Sequence, residues 1–471
     1  MATAKIEGIN KHHLDKLFNE FFKWNPTSLL IRGEPGSGKT TLALELLNYM
    51  KHIYRGYYIS TRVSYAKLID QFSWTRELLQ DESVLTPFSS KSKEIPVVDV
   101  RLGTISSIIE LVMRAVIKKR AFIILDSWDA LAKEADMKER LKTEKTMVSL
   151  ADANDSFLVF ISEEPELSTV AYLVDGVVTL EHHNNLRSLR LDKMRGMSIY
   201  DKRIFYTLEG SHFTPIIKPP NESFHALCKA NGCKLFEPIK YDRRISTGNR
   251  YLDNAIRGIR KGNIVLLETE LNRDRRVLGL ILQNMILNNL RNNGSAIIVN
   301  TPDKPYTSIL KQIKPYCTED ELDRLTILST DEQLPDLSYL DSISYNDLEG
   351  SCNKLVCKRY PMLKKKSDTC ILTMDLGMCE TQLTDEQFEL VKMNIIKLER
   401  VFRENGDVIV FVNTTGYKSM PLIQSTLDIH LKLYTKEGAS FIETIKPHNG
   451  TYGIEVNLEE GHPSYILRRM V

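Results

Sequence analysis

Short apolar runs separated by polar and glycine-containing segments recur along the first part of the chain, and they predict the strands of a buried sheet. The early runs alternate with helix-forming segments, whereas the last two follow each other closely and predict a hairpin. This order is typical of a mainly parallel sheet, flanked by helices, with an antiparallel edge. The runs cover residues 28–31, 56–60, 121–127, 156–162, 174–180 and 186–191.

The second part of the chain repeats this plan in the same order. Residues 213–240 separate the two parts; they begin with a stretch rich in proline and short polar residues, which predicts a linker. We therefore expect an α/β fold with two tandem domains, residues 1–212 and 241–471, built by duplication. The repeated runs cover residues 262–267, 294–299, 370–375, 407–412 and 427–431.

The composition is that of a globular chain without a strong electrostatic bias. Of its 471 residues, 42% are hydrophobic and 26% charged, and 63 Lys and Arg balance 61 Asp and Glu. This near-neutral charge argues against nucleic acid or a membrane as a partner. We expect a cytoplasmic protein, because residues 1–22 do not resemble a signal peptide and no apolar run could span a bilayer. The seven cysteines are odd in number and predict reduced thiols.

A glycine-rich loop directly follows the first apolar run and predicts a nucleotide-binding site. Its glycines allow successive backbone amides to turn towards a phosphate, and the helix-forming segment 41–50 adds a helix N-terminus. Lys39 would reach the β- and γ-phosphates of ATP, and the Thr40 hydroxyl would ligate Mg²⁺. The predicted nucleotide-binding residues of the loop are Glu34, Pro35, Gly36, Ser37, Gly38, Lys39, Thr40 and Thr41.

Asp126 ends the apolar run that begins at Ala121. In ATPases with this kind of loop, a carboxylate at the end of a neighbouring strand holds Mg²⁺ through its water shell. We therefore predict that Asp126 and Thr40 form the metal site and that Lys39 and Asp126 contribute to catalysis.

The second part of the chain lacks this loop. The corresponding residues, 268–276, read Glu-Thr-Glu-Leu-Asn-Arg-Asp-Arg-Arg and contain no glycine. Side chains at these positions would block the backbone cradle, and the two glutamates would repel phosphate. We expect that the second domain does not bind ATP in the usual way.

Taken together, these motifs resemble the RecA superfamily and, within it, KaiC-like two-domain ATPases. The single intact loop beside a degenerate second half is most similar to the archaeal GvpD-like group, whose namesake is a gas-vesicle regulator. The resemblance implies two RecA-like domains. The motifs that carry it are residues 33–41, 56–60, 72–74, 125–127, 193–196 and 244–253.

The resemblance gives Lys193 and Arg195 a role between subunits. In the family, the equivalent Lys-x-Arg-Gly motif reaches the nucleotide of the neighbouring protomer and acts as an arginine finger. It implies a homo-oligomer, in the form of a ring. The alternative is that Lys193 and Arg195 are two solvated charges on one face of a strand.

One departure from the family pattern concerns hydrolysis. Family members carry two glutamates just after the second strand, one of which positions the attacking water; here Arg62 and Val63 fall at these places. Glu163 is a candidate substitute, and Glu164 another, at the end of the run 156–162. These residues favour slow turnover or a nucleotide-gated switch.

The preferred hypothesis is a nucleotide-dependent regulatory switch that acts on a protein partner. A non-hydrolysing ATP-binding scaffold is one alternative. A RecA-like DNA-processing ATPase is another, for which the basic runs 118–120, 240–244, 273–276 and 364–366 could contact phosphates. The polar segment 334–360 predicts either a helical insertion or an ordered loop.

Overall fold

The computed structural model describes residues 18–471, except for 82–94, 102–103, 119, 134, 165–168, 231, 271–274, 302–304, 332–333, 345–346, 382 and 418. The chain divides into two compact units. The first comprises Met1–Ile216 with Met470–Val471, and the second comprises Ile217–Arg469.

A ten-stranded sheet forms the centre of the first unit. Its strands lie in the order β10-β9-β8-β7-β1-β6-β5-β2-β4-β3. The strands are β1 Ser28–Gly33, β2 Arg55–Ser60, β3 Leu79–Asp81, β4 Ile95–Asp99, β5 Ala121–Asp126, β6 Phe157–Ser162, β7 Gly176–His183, β8 Leu186–Met194, β9 Arg203–Thr207 and β10 Thr214–Pro215.

The central strands of this sheet are apolar because both of their faces are covered. Along β1, Leu29 and Ile31 belong to one core cluster, whereas Leu30 belongs to a cluster on the opposite face. This alternation follows from the two-residue period of a strand. The helices of the unit are Lys39–Met50, Tyr65–Gln71, Ile105–Lys118, Asp129–Ala132, Met137–Ala153 and Thr169–Leu173, and residues 18–23 are also helical.

A second ten-stranded sheet lies in the second unit. Read from its far edge, its order is β20-β19-β18-β17-β11-β16-β15-β12-β13-β14. The strands are β11 Ile264–Thr269, β12 Ser295–Val299, β13 Leu325–Ser329, β14 Leu340–Ser342, β15 Cys370–Asp375, β16 Val408–Thr414, β17 Ile429–Lys436, β18 Ala439–Lys446, β19 Gly450–Asn457 and β20 Ser464–Arg469.

The two sheets share the order of their central strands and of one edge, which confirms the expected tandem α/β fold. In both, a parallel central block continues into an antiparallel edge that begins with a hairpin, β7–β8 or β17–β18. They differ at the opposite edge. At that edge the strands of the first sheet lie in the order β2-β4-β3. The strands of the second sheet lie in the order β12-β13-β14, which is their order along the chain.

The helices of the second unit include several in segments without a clear sequence pattern. The predicted linker begins with Thr214–Pro215, which pairs with β9 in the first unit, and it also contains the helix Phe224–Ala230 of the second unit. Residues 334–360 contain β14 and helical turns. The α-helices are Phe224–Ala230, Arg250–Ile256, Arg276–Arg291, Tyr306–Ile313, Glu319–Leu322, Leu348–Asn353, Tyr360–Lys364, Leu376–Glu380, Asp385–Glu404 and Met420–Gln424.

Among the described residues, no helix has both the length and the apolar character that crossing a bilayer requires.

Candidate nucleotide-binding site

The glycine-rich loop connects the end of β1 at Gly33 to the helix Lys39–Met50. Gly36 and Gly38 have φ angles of 75° and 94°. A Cβ on Gly38 would lie 2.8 Å from a Leu208 methyl carbon, whereas no atom of the described residues lies within 4 Å of a Cβ built on Gly36. The backbone conformation therefore requires glycine at both positions, and at Gly38 close packing adds to the requirement.

Lys39 folds back over the loop that precedes it. Its Nζ atom donates hydrogen bonds of 2.8 Å to the carbonyl oxygens of Gly33 and Glu34. Burial lowers the pKa of Lys39, and the nearby Glu163 carboxylate opposes that shift. The ammonium group thus lies against the loop and is bound by two of its backbone carbonyl oxygens.

Asp126 lies beside the loop at the end of β5. Its Oδ2 atom accepts a hydrogen bond of 2.7 Å from the Thr40 hydroxyl and another from the Tyr58 hydroxyl. Burial raises the pKa of the Asp126 carboxyl group. Thr40 and Asp126 thus converge as the sequence analysis predicts for a Mg²⁺ site, and the oxygen ligands suit this metal. The sequence analysis missed Tyr58, which lies in an apolar run that reads as core.

Ser37 supplies a second test of whether the loop fits a phosphate. It is 2% exposed, and among the described residues its hydroxyl oxygen has no hydrogen-bond partner. Its carbonyl oxygen accepts a hydrogen bond from the buried Tyr206 hydroxyl, which ties the loop to strand β9. A buried hydroxyl without a partner is rare, because the lost hydrogen bond is costly. The unpartnered Ser37 hydroxyl therefore fits an oxygen-rich anion bound in the loop.

Glu163 follows β6 and lies near Lys39. Its Oε1 atom is 4.0 Å from Lys39 Nζ, and its Oε2 atom is 2.6 Å from a guanidinium nitrogen of Arg62. Glu164 instead pairs with Arg140 at 3.3 Å. Val63 packs against the core. Of the two candidate glutamates, Glu163 is the one that the structure places at the loop.

Lys193 and Arg195 lie at the other end of the sheet. Lys193 pairs with Val177 at the start of β7, whereas Leu180 further along β7 pairs with Gly33 at the loop. Lys193 Nζ donates to the carbonyl oxygens of Ala171 and Tyr172, at 3.1 Å and 3.2 Å, at the end of a helix. Neither basic side chain contacts the glycine-rich loop of its own chain.

Arg195 lies just beyond β8, in a turn, and not on the strand itself. It forms an ion pair of 2.8 Å with Asp175, and its side chain is 63% exposed. Asp175 also accepts a hydrogen bond from the Thr27 backbone amide. The pair therefore ties this turn to the start of β1.

Arg187 is a loop contact that the sequence analysis did not find. Its Nη1 atom donates a hydrogen bond of 2.8 Å to the carbonyl oxygen of Gly36. It lies on β8, at the end of the β7–β8 hairpin near His182, whose pKa is lowered by burial and by the Arg187 charge. No sequence signal marks Arg187, because its contact with the loop depends on the pairing of β8.

At the corresponding place in the second unit, charged side chains pair with one another. At the end of β15, Asp375 pairs with Arg275, which lies just before the helix Arg276–Arg291. At the end of β11, Glu268 bonds His430 Nε2 at 2.7 Å and accepts from Thr415 at 2.9 Å. Residues 271–274 of the predicted degenerate loop lie outside the described residues.

Residues 18–195 match the family model for the P-loop domain of the GvpD gas vesicle protein. These residues are therefore similar to the GvpD P-loop domain, which confirms the resemblance of the chain to the GvpD-like group. The match covers the phosphate-binding loop, Asp126, Glu163 and the Lys193–Arg195 motif of the GvpD-like domain.

Two curated proteins of Halobacterium salinarum are similar to a longer part of the chain. Protein GvpD2 is 28% identical over 318 residues, and Protein GvpD1 is 29% identical over 266 residues. The alignments cover 63% and 52% of this chain and 63% and 49% of the two relatives. The chain thus matches less than two thirds of the length of either protein.

Proposed function

We propose that the GvpD-like domain binds Mg²⁺-ATP and that its nucleotide state switches the interaction of the protein with a regulatory partner in the cytoplasm. The single observation that carries the proposal is the loop itself. Glycines with positive φ, the buried Lys39 and the Thr40–Asp126 pair converge at the start of one helix. Because the family model describes a gas vesicle protein, the regulated process that we propose is gas vesicle formation.

The proposed roles follow from position. The loop residues, from Glu34 to Thr41, would enclose the phosphates and Lys39 would neutralise their charge. Thr40 and Asp126 would hold Mg²⁺, which neutralises charge as the γ-phosphoryl group leaves. Glu163 would orient the attacking water and accept its proton.

Slow hydrolysis is part of the proposal. The Glu163 carboxylate pairs with Arg62 and lies near Lys39, so it must leave these two cations before it can orient a water. We expect this rearrangement to slow hydrolysis, so that bound ATP can act as a switch. The same observation favours the second candidate function, a binding scaffold that does not hydrolyse ATP.

An oligomer is the part of the proposal that rests on Lys193 and Arg195. Both lie near the end of the strands that is opposite to the glycine-rich loop of their own chain. They would therefore reach a nucleotide only in a neighbouring protomer. To do so, Lys193 must leave the Ala171 carbonyl and Arg195 must leave Asp175. We propose that ATP binding in a ring of protomers supplies this exchange.

DNA processing has little support from the basic runs. Lys364 pairs with Asp407, and Arg275 pairs with Asp375. Arg276 donates to the carbonyl oxygens of Pro220 and Asn221. Charges already engaged within the fold are poor ligands for a phosphate backbone. Salt-dependent DNA binding by the purified protein would contradict this interpretation.

The proposal is tested by measuring ATP binding and steady-state turnover with Mg²⁺ for the wild type and for Lys39→Ala. We expect the wild type to bind ATP and to hydrolyse it slowly, and the variant to lose both activities. ATP binding with equal background turnover in both proteins would leave the scaffold. Absence of ATP binding by the folded wild type would exclude both functions.

A further inference from the structure

We propose that Arg62 reads the γ-phosphate of a nucleotide bound to its own chain and so distinguishes ATP from ADP. The inference rests on the proposed nucleotide binding and goes beyond it by assigning a selective contact. The sequence pattern gives Arg62 no such role, since an arginine stands where related ATPases carry a glutamate.

The first observation is the arrangement of charge at the mouth of the loop. The Glu163 carboxylate lies between two cations, with Oε1 at 4.0 Å from Lys39 Nζ and Oε2 at 2.6 Å from Arg62. Arg62 thus lies beside the same Glu163 carboxylate as Lys39, the residue that is expected to contact the γ-phosphate. A γ-phosphate at Lys39 carries more negative charge than Glu163, so it competes for the same two cations.

The second observation is the rigid support of the segment that carries Arg62. The Thr61 amide donates a hydrogen bond of 2.8 Å to the Asp126 carbonyl oxygen. The Thr61 hydroxyl and the backbone of Ser127 bond each other reciprocally, with both distances 2.8 Å. The Val63 amide donates to the Ser60 hydroxyl at 3.2 Å. These bonds fix the backbone on both sides of Arg62 beside the predicted metal ligand.

Glu163 is supported in a similar way. Its backbone amide donates to the carboxylate of the buried Asp129, and the Ser162 hydroxyl donates to the other oxygen of Asp129 at 2.9 Å. The backbone at Glu163 is thus held while its side chain remains 29% exposed. Arg62 is 39% exposed at its side chain, so both side chains can reorient without unfolding the segments that carry them.

These contacts give a simple exchange. With ATP, Lys39 and Arg62 bind the γ-phosphate, and the Glu163 side chain is displaced towards solvent or the attacking water. With ADP, no γ-phosphate competes, and the Arg62–Glu163 pair persists. Arg62 therefore strengthens the binding of ATP and not that of ADP.

The experiment measures the dissociation constants of ADP and of a non-hydrolysable ATP analogue, with Mg²⁺, by titration calorimetry on the full chain. We expect Arg62→Ala to weaken binding of the analogue by about tenfold or more and to leave ADP binding within about twofold, because a charge-assisted hydrogen bond is lost only with the triphosphate. Arg62→Lys keeps the charge and should recover part of the difference.

Two further variants sharpen the test. Glu163→Gln removes the competing carboxylate and should strengthen binding of the analogue several-fold without changing ADP binding. Arg114→Ala is the matched control, since Arg114 is 49% exposed and pairs with a carboxylate on the outer helix Ile105–Lys118. The control should leave both constants unchanged.

An unchanged preference for the analogue over ADP in Arg62→Ala would overturn the inference and leave nucleotide binding intact. Weaker binding of the analogue in Glu163→Gln would overturn the exchange with Glu163. Failure of the wild type to bind either nucleotide would overturn the proposed function together with this inference.

Discussion

The two units have the same order of central strands, but they differ in the residues that follow the first strand of each sheet, β1 or β11. After β1, glycines leave an open cradle, and Thr40 and Asp126 converge beside it. After β11, Arg275 pairs with Asp375, and Glu268 pairs with His430. The carboxylate at the end of β15 thus has a side-chain cation as its partner, whereas Asp126 accepts hydrogen bonds from two hydroxyl groups. The comparison shows that the two units keep the same order of central strands although the side chains at the ends of those strands differ.

The largest expected effect is the loss of nucleotide binding in one unit only. Lys39→Ala should weaken Mg²⁺-ATP binding by at least about 100-fold, since Lys39 supplies the charge at the γ-phosphate. Arg275→Ala, at the corresponding place in the second unit, should leave the ATP dissociation constant unchanged. Titration calorimetry on both variants checks the comparison.

Equal losses in the two variants would contradict the assignment of ATP to the first unit. A thermal unfolding measurement on Lys39→Ala provides the control, because a folded variant is needed for the comparison.

The second effect concerns the ion pair between Arg275 and Asp375 in the second unit. Arg275→Met should destabilise the second unit by about 2 kcal/mol, because among the described residues it leaves the largely buried Asp375 carboxylate with only its bond to the Met378 amide. Hydrogen exchange of the amides in the helix Arg276–Arg291 measures this loss. Unchanged protection of this helix would show that Arg275 does not have the role inferred here.

The third comparison uses one glycine from each unit. Gly38→Ala should destabilise the first unit by about 1–2 kcal/mol, because alanine is strained at a φ of 94° and its Cβ meets Leu208. Gly279→Ala should stabilise the second unit by up to about 1 kcal/mol, because Gly279 is helical with nothing within 4 Å of its added Cβ. Chemical denaturation monitored by hydrogen exchange measures each change in the free energy of unfolding and assigns it to one unit.

A stabilising Gly38→Ala substitution would mean that the loop does not need the left-handed conformation, and the predicted cradle would then be wrong.

The smallest expected effect comes from neutralising the two aspartates. Burial raises the pKa of Asp126, so the fold disfavours its charge, and Asp126→Asn should leave the thermal unfolding temperature near pH 7 unchanged or slightly higher. Asp375→Asn should lower it by about 2–4 °C, because Arg275 loses its carboxylate partner. Differential scanning calorimetry without nucleotide makes the measurement.

A lower unfolding temperature for Asp126→Asn than for Asp375→Asn would contradict this prediction. The effect of Asp126→Asn on Mg²⁺-dependent ATP binding is then measured by titration calorimetry at a temperature at which the variant is folded.

Much of the fold was predictable because its signals are local. The strand that ends at Asp375 begins at Cys370, as its apolar run predicts, and the hairpin of β7 and β8 follows two closely spaced runs. The swapped order of β3 and β4 was not predictable, because strand neighbours at a sheet edge depend on long-range pairing. The position of Arg187 at the loop has the same origin.

By itself, the sequence determined the chemistry of the loop. Glycines, Lys39 and Thr40 at fixed spacing between an apolar run and a helix allow one backbone shape, and that shape depends on residues that are adjacent in the chain. The tertiary structure alone decided which distant groups surround it. Tyr58 meets Asp126, and Arg62 meets Glu163, because parallel pairing brings the ends of separate strands to one edge of the sheet.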